Sequence, residues 1–175
     1  MTFKNLGSGD NGSSCFGNKW AKKTCPEIEA LGALDELNSL LGLVRNQKIP
    51  KEFKKILLGV QQDLFIVQAS VAGILFSRGC NDLKKEKILE IEGSIKRYSV
   101  EIGEIKNFII PGENEASAWL DYIRAVARTA ERRVLLIKKL NKNNCVYLNR
   151  LSSLFFVMAR VCAGKSGKKE RIPAY

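Results

Sequence analysis

Apolar residues recur every three or four positions along most of the chain after Pro26, which is the spacing of one helix face. The pattern predicts five helices, over about residues 27–46, 51–76, 82–106, 115–140 and 144–163. Pro111 and Gly112 favour an extended loop with a turn before the fourth of them. Five amphipathic helices with short connections bury their apolar faces most simply in an antiparallel bundle. The sequence therefore predicts an all-α protein.

The predicted bundle takes up most of the chain. It covers residues 26–163, after an N-terminal segment of residues 1–25 that is rich in glycine, serine and lysine. Residues 164–175 follow it as a basic tail that includes Lys165, Lys168, Lys169 and Arg171. We expect one compact domain, because 175 residues are enough to bury a core without disulfides or a structural metal.

Charge and composition narrow the classes of function. Lys and Arg number 29 against 18 Asp and Glu, which gives a formal charge of +11 and points to an anionic partner: nucleotide, nucleic acid or acidic membrane. The chain has no histidine, so Ser-His-Asp catalysis and histidine-based zinc sites are excluded. The longest apolar stretch, residues 64–76, is shorter than the roughly 20 residues of a membrane span. We therefore expect no membrane insertion.

The cysteines and the N-terminus bear on the compartment. The five cysteines are widely spaced and include no Cys-x-x-Cys, which fits reduced thiols better than a disulfide framework or a zinc ribbon. The polar N-terminus lacks the basic and apolar regions of a secretory signal. These features predict a cytoplasmic protein.

Arginines concentrate on one face of the predicted fourth helix. Arg124, Arg128 and Arg132 are four residues apart, so their side chains form one stripe. Glu131 is the only acid between Arg124 and Leu140, and repulsion among the cations is therefore poorly offset within the segment. Guanidinium groups bind polyphosphates through paired hydrogen bonds. The stripe is either a triphosphate site or a solvated basic face.

A run of small and hydroxyl-bearing residues lies in the N-terminal segment. It reads Ser8-Gly9-Asp10-Asn11-Gly12-Ser13-Ser14, and Lys23 follows it. Glycines let backbone N–H groups turn toward an anion, while hydroxyls and a lysine add donors and charge. The run does not match a Walker A loop, and no strand is predicted before it. It is either a phosphate-binding loop or a flexible leader.

Polar residues also interrupt two apolar helices. Asp35 and Glu36 adjoin in the first helix, so we expect one of them near the buried face, where a carboxylate needs a cationic partner. The arginine stripe is the candidate partner. Asn149 lies within the apolar fifth helix. Alternatively, Asp35 and Glu36 are two ordinary exposed acids, and Asn149 is a hydrogen-bonded amide of the core.

Taken in order, these segments resemble the PduO-type ATP:cob(I)alamin adenosyltransferases. The N-terminal run is similar to the family's Thr-Gly-Asp-x-Gly loop, and residues 29–38 to its Glu-Ala-x-Gly-x-x-Asp-Glu-Leu stretch. Residues 108–112 resemble its Phe-Ile-Leu-Pro-Gly loop, residues 124–133 its double-arginine helix, and residues 147–152 its Tyr-Leu-Asn-Arg-Leu-Ser motif. On these five ordered motifs the chain is identified as a member.

The resemblance implies an activity and an assembly. It implies transfer of the 5′-deoxyadenosyl group of ATP to the Co(I) centre of reduced cobalamin, giving adenosylcobalamin and triphosphate. It implies a homotrimer with ATP between neighbouring subunits, and Mg²⁺ carried on the triphosphate rather than held by protein side chains. A Co(II) reductase and a B12-dependent acceptor enzyme are further implied partners.

The resemblance also implies roles for the matched residues. Arg128, Arg132 and Phe108 would act in catalysis. Asp35 would pair with Arg124 on the corrinoid side, where Phe108 would crowd the lower face of the corrinoid and displace its axial ligand. The residues implied to bind ATP are Ser8, Gly9, Asp10, Gly12, Ser13, Ser14, Lys23, Arg128, Glu131, Arg132 and Asn149.

The chain departs from the family's pattern in the N-terminal run, where Ser13 and Ser14 stand in place of frequent threonines, and at three further positions. Thr129 stands where a second arginine is common, Asp121 where a histidine is usual, and Ser153 where an aspartate often follows. Two rival functions stay open. One is a non-catalytic basic bundle that binds nucleic acid, although the basic segments lack interleaved aromatic residues and a recognition signature. The other is a family member that delivers the finished cofactor to an acceptor enzyme.

Overall fold

The computed structural model describes residues 7–16, 19–76, 82–165 and 170–174. Within these ranges it contains five helices and two short strands. They are β1 (Ser13–Phe16), β2 (Lys19–Lys22), α1 (Pro26–Arg45), α2 (Lys51–Phe76), α3 (Lys85–Ile102), α4 (Glu115–Val134) and α5 (Lys142–Gly164). The five predicted helices are confirmed. Lys168 and Lys169 of the predicted tail lie outside the described residues.

Local sequence signals begin the helices. α1 starts with Pro26, at a position where a helix needs no N–H donor, and carries Glu27 and Glu29 in its first turn, where acids favour the helix dipole. α4 starts with a capping box, in which the Asn114 side chain accepts from Ser117 N at 2.8 Å and the Ser117 hydroxyl accepts from Asn114 N at 3.1 Å. These signals fix where the apolar stripes of both helices begin.

Two helices end earlier than the sequence predicts. α3 stops at Ile102 rather than near residue 106, because Gly103 adopts a φ of 69°, a left-handed conformation that glycine tolerates. α4 stops at Val134 rather than near residue 140, and the chain continues in turns to Lys139, whose φ is 68°. Residues 135–140 keep a helix-like apolar spacing, which is why the pattern overextends this helix.

The N-terminal segment contains a hairpin that the sequence does not predict. β1 and β2 pair antiparallel, with Ser14 opposite Ala21 and Cys15 opposite Trp20. Strands of four residues carry too little alternation of polar and apolar positions to be recognised. The fold is therefore a five-helix bundle with a two-stranded hairpin rather than strictly all-α.

Contacts near the helix ends show the relative directions of α3, α4 and α5. Asn114, which precedes α4, donates to the carbonyl of Cys162 near the end of α5 at 2.9 Å, so α4 and α5 are antiparallel. The start of α5 lies beside the start of α3, where the Asn143 amide donates to the Leu83 carbonyl at 3.1 Å. α3 and α5 are therefore parallel neighbours. Their C-terminal ends lie at the same end of the bundle as the loop that leads into α4.

α5 is the central helix of the core. It packs against α3 and α4, while α1 packs against α4 and α2. The Tyr147 hydroxyl donates to the Asp63 carboxylate of α2 at 2.8 Å, and burial raises the pKa of that carboxyl. The largest fully buried side chains of α5 are Tyr147, Leu148 and Phe155. This packing leaves the α1/α2 side and the α3/α4 side as separate surfaces.

Two helices are long and apolar enough, by length and composition alone, to cross a membrane. They are Lys51–Leu75 and Lys142–Gly164, and the bundle buries 39% and 67% of their most apolar windows. The core helix of a bundle passes the same test, and α5 is such a helix. Its apolar residues are therefore explained by packing inside the protein.

Candidate active site

A groove between α1 and α2 lies beside the hairpin, and we call it the hairpin groove. Its volume is about 490 Å³, and Ser14 of β1, Asp35 of α1, and Phe65 and Gln68 of α2 are among its lining residues. Phe65 is 63% exposed in the single chain. A large apolar side chain beside polar groups marks a surface suited to a partner or ligand.

Two turns fold the predicted phosphate loop back toward the hairpin. Asp10 N donates to the Gly7 carbonyl at 3.1 Å and Gly12 N to the Gly9 carbonyl at 3.2 Å, with Gly12 at a φ of 77°. Lys23 N donates to the Gly12 carbonyl at 2.8 Å, which extends the hairpin ladder by one bond. The Lys23 ammonium lies so close to Gly9 that an added Cβ would be 3.0 Å from it. The structure thus brings the glycines and the lysine together.

The other residues of the loop differ in exposure. Ser8 and Asp10 are exposed, whereas Ser13 and Ser14 are half-buried in β1. Ser13 N donates to the Asn11 side-chain oxygen at 3.0 Å, which is a local turn of the kind that asparagine favours. The segment is therefore a turn followed by a hairpin, and serine hydroxyls and backbone N–H groups lie close together along it.

A second groove lies between α3, α4 and α5, and we call it the arginine groove. It has a volume of about 440 Å³, and Arg124, Arg128, Ser153 and Phe156 are among the residues that line it. Arg128 is exposed and Arg124 is half-buried. Two members of the predicted stripe therefore share one concave surface, as the four-residue spacing predicts.

Thr129 holds the third member of the stripe. Arg132 Nη2 donates to the Thr129 hydroxyl at 3.0 Å, and that hydroxyl donates to the Ala125 carbonyl at 3.4 Å. The residue that replaces the expected second arginine thus orients the guanidinium next to it. This contact could not be predicted from the helical spacing alone.

Glu131 and Asn149, which are both predicted to bind ATP, contact each other. The Asn149 amide donates to the Glu131 carboxylate at 2.8 Å. Arg150 donates to the Asn149 side-chain oxygen and to the Glu92 carboxylate, each at 2.8 Å. Asn149 is exposed rather than part of the core. The network joins α3, α4 and α5 and leaves the amide and the carboxylate open to a ligand.

The expectations for Asp35 and Glu36 need correction. Both side chains are exposed, because the helical period turns Leu34 and Leu37 inward and the two acids outward. Among the described residues, the ion pair of Arg124 is with Asp121, at 3.6 Å from Nε to Oδ1. The predicted pair of Asp35 with Arg124 is therefore not formed within one chain.

The hairpin groove and the arginine groove lie on different sides of one chain. They share no lining helix, since the first uses α1 and α2 and the second uses α3, α4 and α5. Arg133 faces α1, where it lies 3.5 Å from Glu29. Arg128 comes five residues earlier, so at about 100° per residue it points about 140° away from Arg133. The phosphate loop and the arginines of one chain therefore face different surroundings.

A larger cleft of about 880 Å³ lies beneath the loop that follows α3, and we call it the loop cleft. Phe108, Asp121, Arg124 and Ile172 are among its lining residues. Phe108 is 78% exposed, so the side chain predicted to crowd the corrinoid is available at the cleft. Arg124 also lines the arginine groove, so this residue stands where the two concave surfaces meet.

The described end of the chain packs against the loop cleft. Ile110 N donates to the Arg171 carbonyl at 2.8 Å, and Ile172 and Pro173 form part of the lining. Glu170 forms an ion pair with Arg160 at 2.7 Å. Burial raises the pKa of Glu170, although the charge of Arg160 opposes that shift. Residues 170–174 are thus a wall of the cleft rather than a separate basic tail.

Arg160 is the functional candidate that the sequence reasoning missed. Its side chain is 3% exposed, contacts Asp121 and Glu170, and lies 5.3 Å from the centroid of the Phe156 ring. Buried arginines are rare unless they are paired. The available signal was a lone charge within the apolar run of residues 154–163. A helical pattern alone does not say whether such a charge faces a cleft.

The chemistry of the grooves suits an anion and a large ligand. Among the described residues, no group of three or more Cys, Asp or Glu side chains could hold a metal ion. Guanidinium, ammonium and backbone N–H donors instead suit a polyphosphate. The loop cleft has the size of a small-molecule site and a partly apolar lining.

Comparisons with known proteins identify the family of the chain. A family model described as cobalamin adenosyltransferase matches residues 5–162. The corrinoid adenosyltransferase of Bacillus subtilis (strain 168) is 34% identical over 167 residues, which cover 91% of this chain and 86% of that protein. The corrinoid adenosyltransferase of Homo sapiens is 34% identical over 176 residues, covering 94% of this chain and 70% of that protein.

A solved structure has the same fold. It is a variant of the PduO-type ATP:corrinoid adenosyltransferase from Lactobacillus reuteri, complexed with cobalamin and ATP. It superposes with a TM-score of 0.88 at 24% identity and covers 97% of this chain and 98% of its own. The likeness extends over the bundle and the hairpin together.

Proposed function

The chain belongs to the cobalamin adenosyltransferase family, and we propose that its grooves serve transfer of the 5′-deoxyadenosyl group of ATP to the Co(I) centre of a reduced corrinoid. The relatives named above are corrinoid adenosyltransferases. The observation that carries the proposal is the position of Arg124, which lines both the arginine groove and the loop cleft. A groove lined by arginines and a cleft of about 880 Å³ therefore adjoin in this chain, which supports neighbouring places for the triphosphate and the corrinoid.

The reaction requires little acid–base chemistry from the protein. An electron pair of Co(I) forms the cobalt–carbon bond at C5′ of ATP, the C5′–O bond breaks, and its electron pair leaves on the triphosphate. The corrinoid supplies the nucleophile, so the lack of histidine is no obstacle. Arg128 and Arg132 would stabilise the charge that grows on the leaving triphosphate. Thr129 would keep Arg132 in place for that role.

The ATP site is completed between two copies of the chain. Because the hairpin groove and the arginine groove lie on different sides, the loop of one copy would bind the phosphates together with Arg128 and Arg132 of the next. Gly9, Gly12 and Lys23 would be the main contacts of that loop. A closed homotrimer repeats this contact three times, once per interface.

The same interface accounts for exposed side chains of the single chain. Phe65 would be buried against the neighbouring copy, and the exposed Asp35 would reach Arg124 across the interface. Glu131 and Asn149 would hold the nucleoside, since their amide and carboxylate lie open at the α4/α5 surface. The loop side of the ATP site would be completed by Ser8, Asp10, Ser13 and Ser14.

Magnesium and the corrinoid have separate places in the proposal. Mg²⁺ fits on the phosphate oxygens and water, its usual ligands in nucleotide sites, because the described residues offer no cluster of three acidic or thiol ligands. It would neutralise part of the phosphate charge. Phe108 would lie against the lower face of the corrinoid and exclude an axial ligand. A cytoplasmic location, a Co(II) reductase and a B12-dependent acceptor enzyme stay predictions.

The test is direct formation of adenosylcobalamin. The protein is mixed with ATP, Mg²⁺ and chemically reduced cobalamin, and the absorbance spectrum and released triphosphate are followed. We expect the adenosylcobalamin spectrum and one triphosphate per product. Arg128→Ala should weaken ATP binding with helix content unchanged. Arg97→Ala is the matched control, because that side chain is 66% exposed on α3 and contacts Glu52 of α2. No spectral change at saturating ATP would contradict the proposal.

A further inference from the structure

Four charged side chains of alternating sign connect the end of the chain to the arginine groove. Glu170 contacts Arg160 at 2.7 Å, Arg160 contacts Asp121, and Asp121 lies 3.6 Å from Arg124. The two middle members are buried, with side chains 3% and 5% exposed. Buried charges in such a row must hold one another in place, because each would be costly without its partner.

The two oxygens of Asp121 serve different arginines. Oδ2 accepts from Arg160 Nη2, while Oδ1 faces Arg124 Nε. Within the described residues, Arg124 Nε is buried and makes no hydrogen bond of normal length. Within one chain, the contact of Arg124 Nε is therefore an ion pair with Asp121 rather than a hydrogen bond. A change in the orientation of the Asp121 carboxylate would move the Arg124 guanidinium.

Arg160 has the features of a fixed anchor. Its guanidinium lies between the carboxylates of Asp121 and Glu170 and over the ring of Phe156. A planar guanidinium can contact two carboxylates from fixed directions, which a lysine ammonium cannot reproduce. With these three contacts, Arg160 is held from more directions than Asp121, whose carboxylate contacts the two arginines.

We propose that Arg160 is a positioning residue for the corrinoid half of the reaction: by clamping Asp121, it fixes Arg124 at the junction of the loop cleft and the arginine groove. The inference rests on the proposed function and adds to it a residue that does not itself contact the phosphate loop. It also gives Asp121, which stands where the family's pattern usually has histidine, a role that depends on its charge. Arg160 lines the loop cleft as well, so its effect is directed to that side.

The proposal predicts a split between the two substrates. Displacing Arg124 should weaken use of the corrinoid, whereas the hairpin side of the ATP site should be unaffected. Misplacement of a substrate-positioning group by about 1 Å can cost up to about a hundredfold in rate. For Arg160→Lys, which keeps the charge, we expect the KM for cob(I)alamin to rise about tenfold and the KM for ATP to stay within about twofold.

The experiment compares Arg160→Lys with Glu170→Gln in the full-length enzyme. Glu170 contacts the same guanidinium but belongs to the chain end, so its replacement tests whether Arg160 merely anchors residues 170–174. Because an amide oxygen at this position can still accept from Arg160, we expect Glu170→Gln to raise the KM for cob(I)alamin by less than Arg160→Lys does, and to leave the KM for ATP within about twofold of wild type. Helix content and the thermal midpoint are measured for each variant. If Arg160→Lys does not fold, the double variant Asp121→Asn/Arg160→Gln replaces it, because it removes both buried charges together, and the same rise in corrinoid KM is expected.

Three results would overturn the proposal. The first is a wild-type KM for cob(I)alamin in folded Arg160→Lys, or in the folded double variant that replaces it. The second is an equal rise in the KM values for cob(I)alamin and ATP. The third is a rise in the KM for cob(I)alamin in Glu170→Gln that is as large as in Arg160→Lys. Wild-type enzyme is assayed in parallel. If wild-type protein forms no adenosylcobalamin, the proposed function itself fails, and this outcome is distinct from a failure of the variants alone.

Discussion

Gly9 is the glycine of the phosphate loop where an added side chain would have the closest neighbours. An added Cβ would lie 3.0 Å from the Lys23 ammonium and 3.1 Å from the Ser13 carbonyl oxygen. Comfortable contacts with carbon are about 3.5–4.0 Å, so both neighbours would have to move. The carbonyl belongs to the backbone of β1, whereas the lysine side chain can swing away. We predict that Gly9→Ala displaces the Lys23 ammonium from the loop.

The size of the effect follows from the contact that is lost. A hydrogen bond to a charged group contributes about 1.5–3 kcal/mol, and an exposed lysine is at the lower end because water screens it. A loss of about 1.4 kcal/mol corresponds to a tenfold change in an equilibrium constant. Gly9→Ala should therefore raise the KM for ATP about tenfold, with little change in the KM for cob(I)alamin.

The assay is the initial rate of adenosylcobalamin formation at saturating cob(I)alamin and varied ATP. It compares Gly9→Ala, Lys23→Ala and the double variant. Because both changes remove the same contact, the double variant should be no worse than Lys23→Ala alone. Gly93→Ala is the control, since a Cβ at that exposed position of α3 meets nothing within 4 Å. Multiplied effects in the double variant, or an unchanged KM in Gly9→Ala, would refute this reasoning.

Three further changes test other contacts. Thr129→Val should raise the KM for ATP by about twofold to tenfold by releasing Arg132, and Thr129→Ser should restore it; equal KM values for both variants would contradict this role. Phe108→Ala should lower kcat while the KM for ATP and the thermal midpoint stay unchanged, because the side chain is exposed; loss of stability would assign it to the fold. Burial raises the pKa of Asp63 above 3.8 despite the Tyr147 hydrogen bond, so the folded state favours the neutral carboxyl. The stability that this preference contributes is fully present below pH 3.8 and is lost as the pH rises through the pKa of the folded state. Asp63→Asn should therefore gain stability relative to wild type as the pH rises above 3.8, measured by urea unfolding, and a difference that does not change with pH would contradict the shift.

The helices could be predicted because their signals are local and repeated. The spacing of Leu34, Leu37 and Leu41 in α1 is enough to define its buried face, and Asn114 marks the start of α4 through its cap. Helix ends were less certain, since Gly103 stops α3 although the apolar spacing of the sequence continues beyond it. A single backbone conformation can end a helix that the periodicity alone would extend.

The hairpin and the faces of the polar residues could not be predicted in the same way. Ser14 and Trp20 belong to strands whose pairing depends on contacts between two short segments, and four residues of alternation give little signal. Asp35 adjoins a buried leucine in sequence but faces outward, which only the phase of the helix decides. The outward face of Asp35 and the pairing of the hairpin therefore had to come from the structure.

Arg160 shows what periodicity leaves out. Its position in α5 fits a core helix, yet its partners come from α4 and from the end of the chain. Contacts between residues so far apart in sequence depend on how α4, α5 and the chain end pack. The sequence thus supported a binding site for ATP and corrinoid, while the structure supplied the charge network behind it.

The shared active site is tested most directly by mixing two inactive variants. Lys23→Ala damages the loop side and Arg128→Ala the arginine side, so each homo-oligomer should have little activity at limiting ATP. If every site combines the loop of one copy with the arginines of the next, random mixed oligomers should contain about one intact site in four, and adenosylcobalamin formation should return to about a quarter of the wild-type rate after unfolding and refolding together. A mixture that stays as inactive as its separate components would show that both sides of each site come from the same chain.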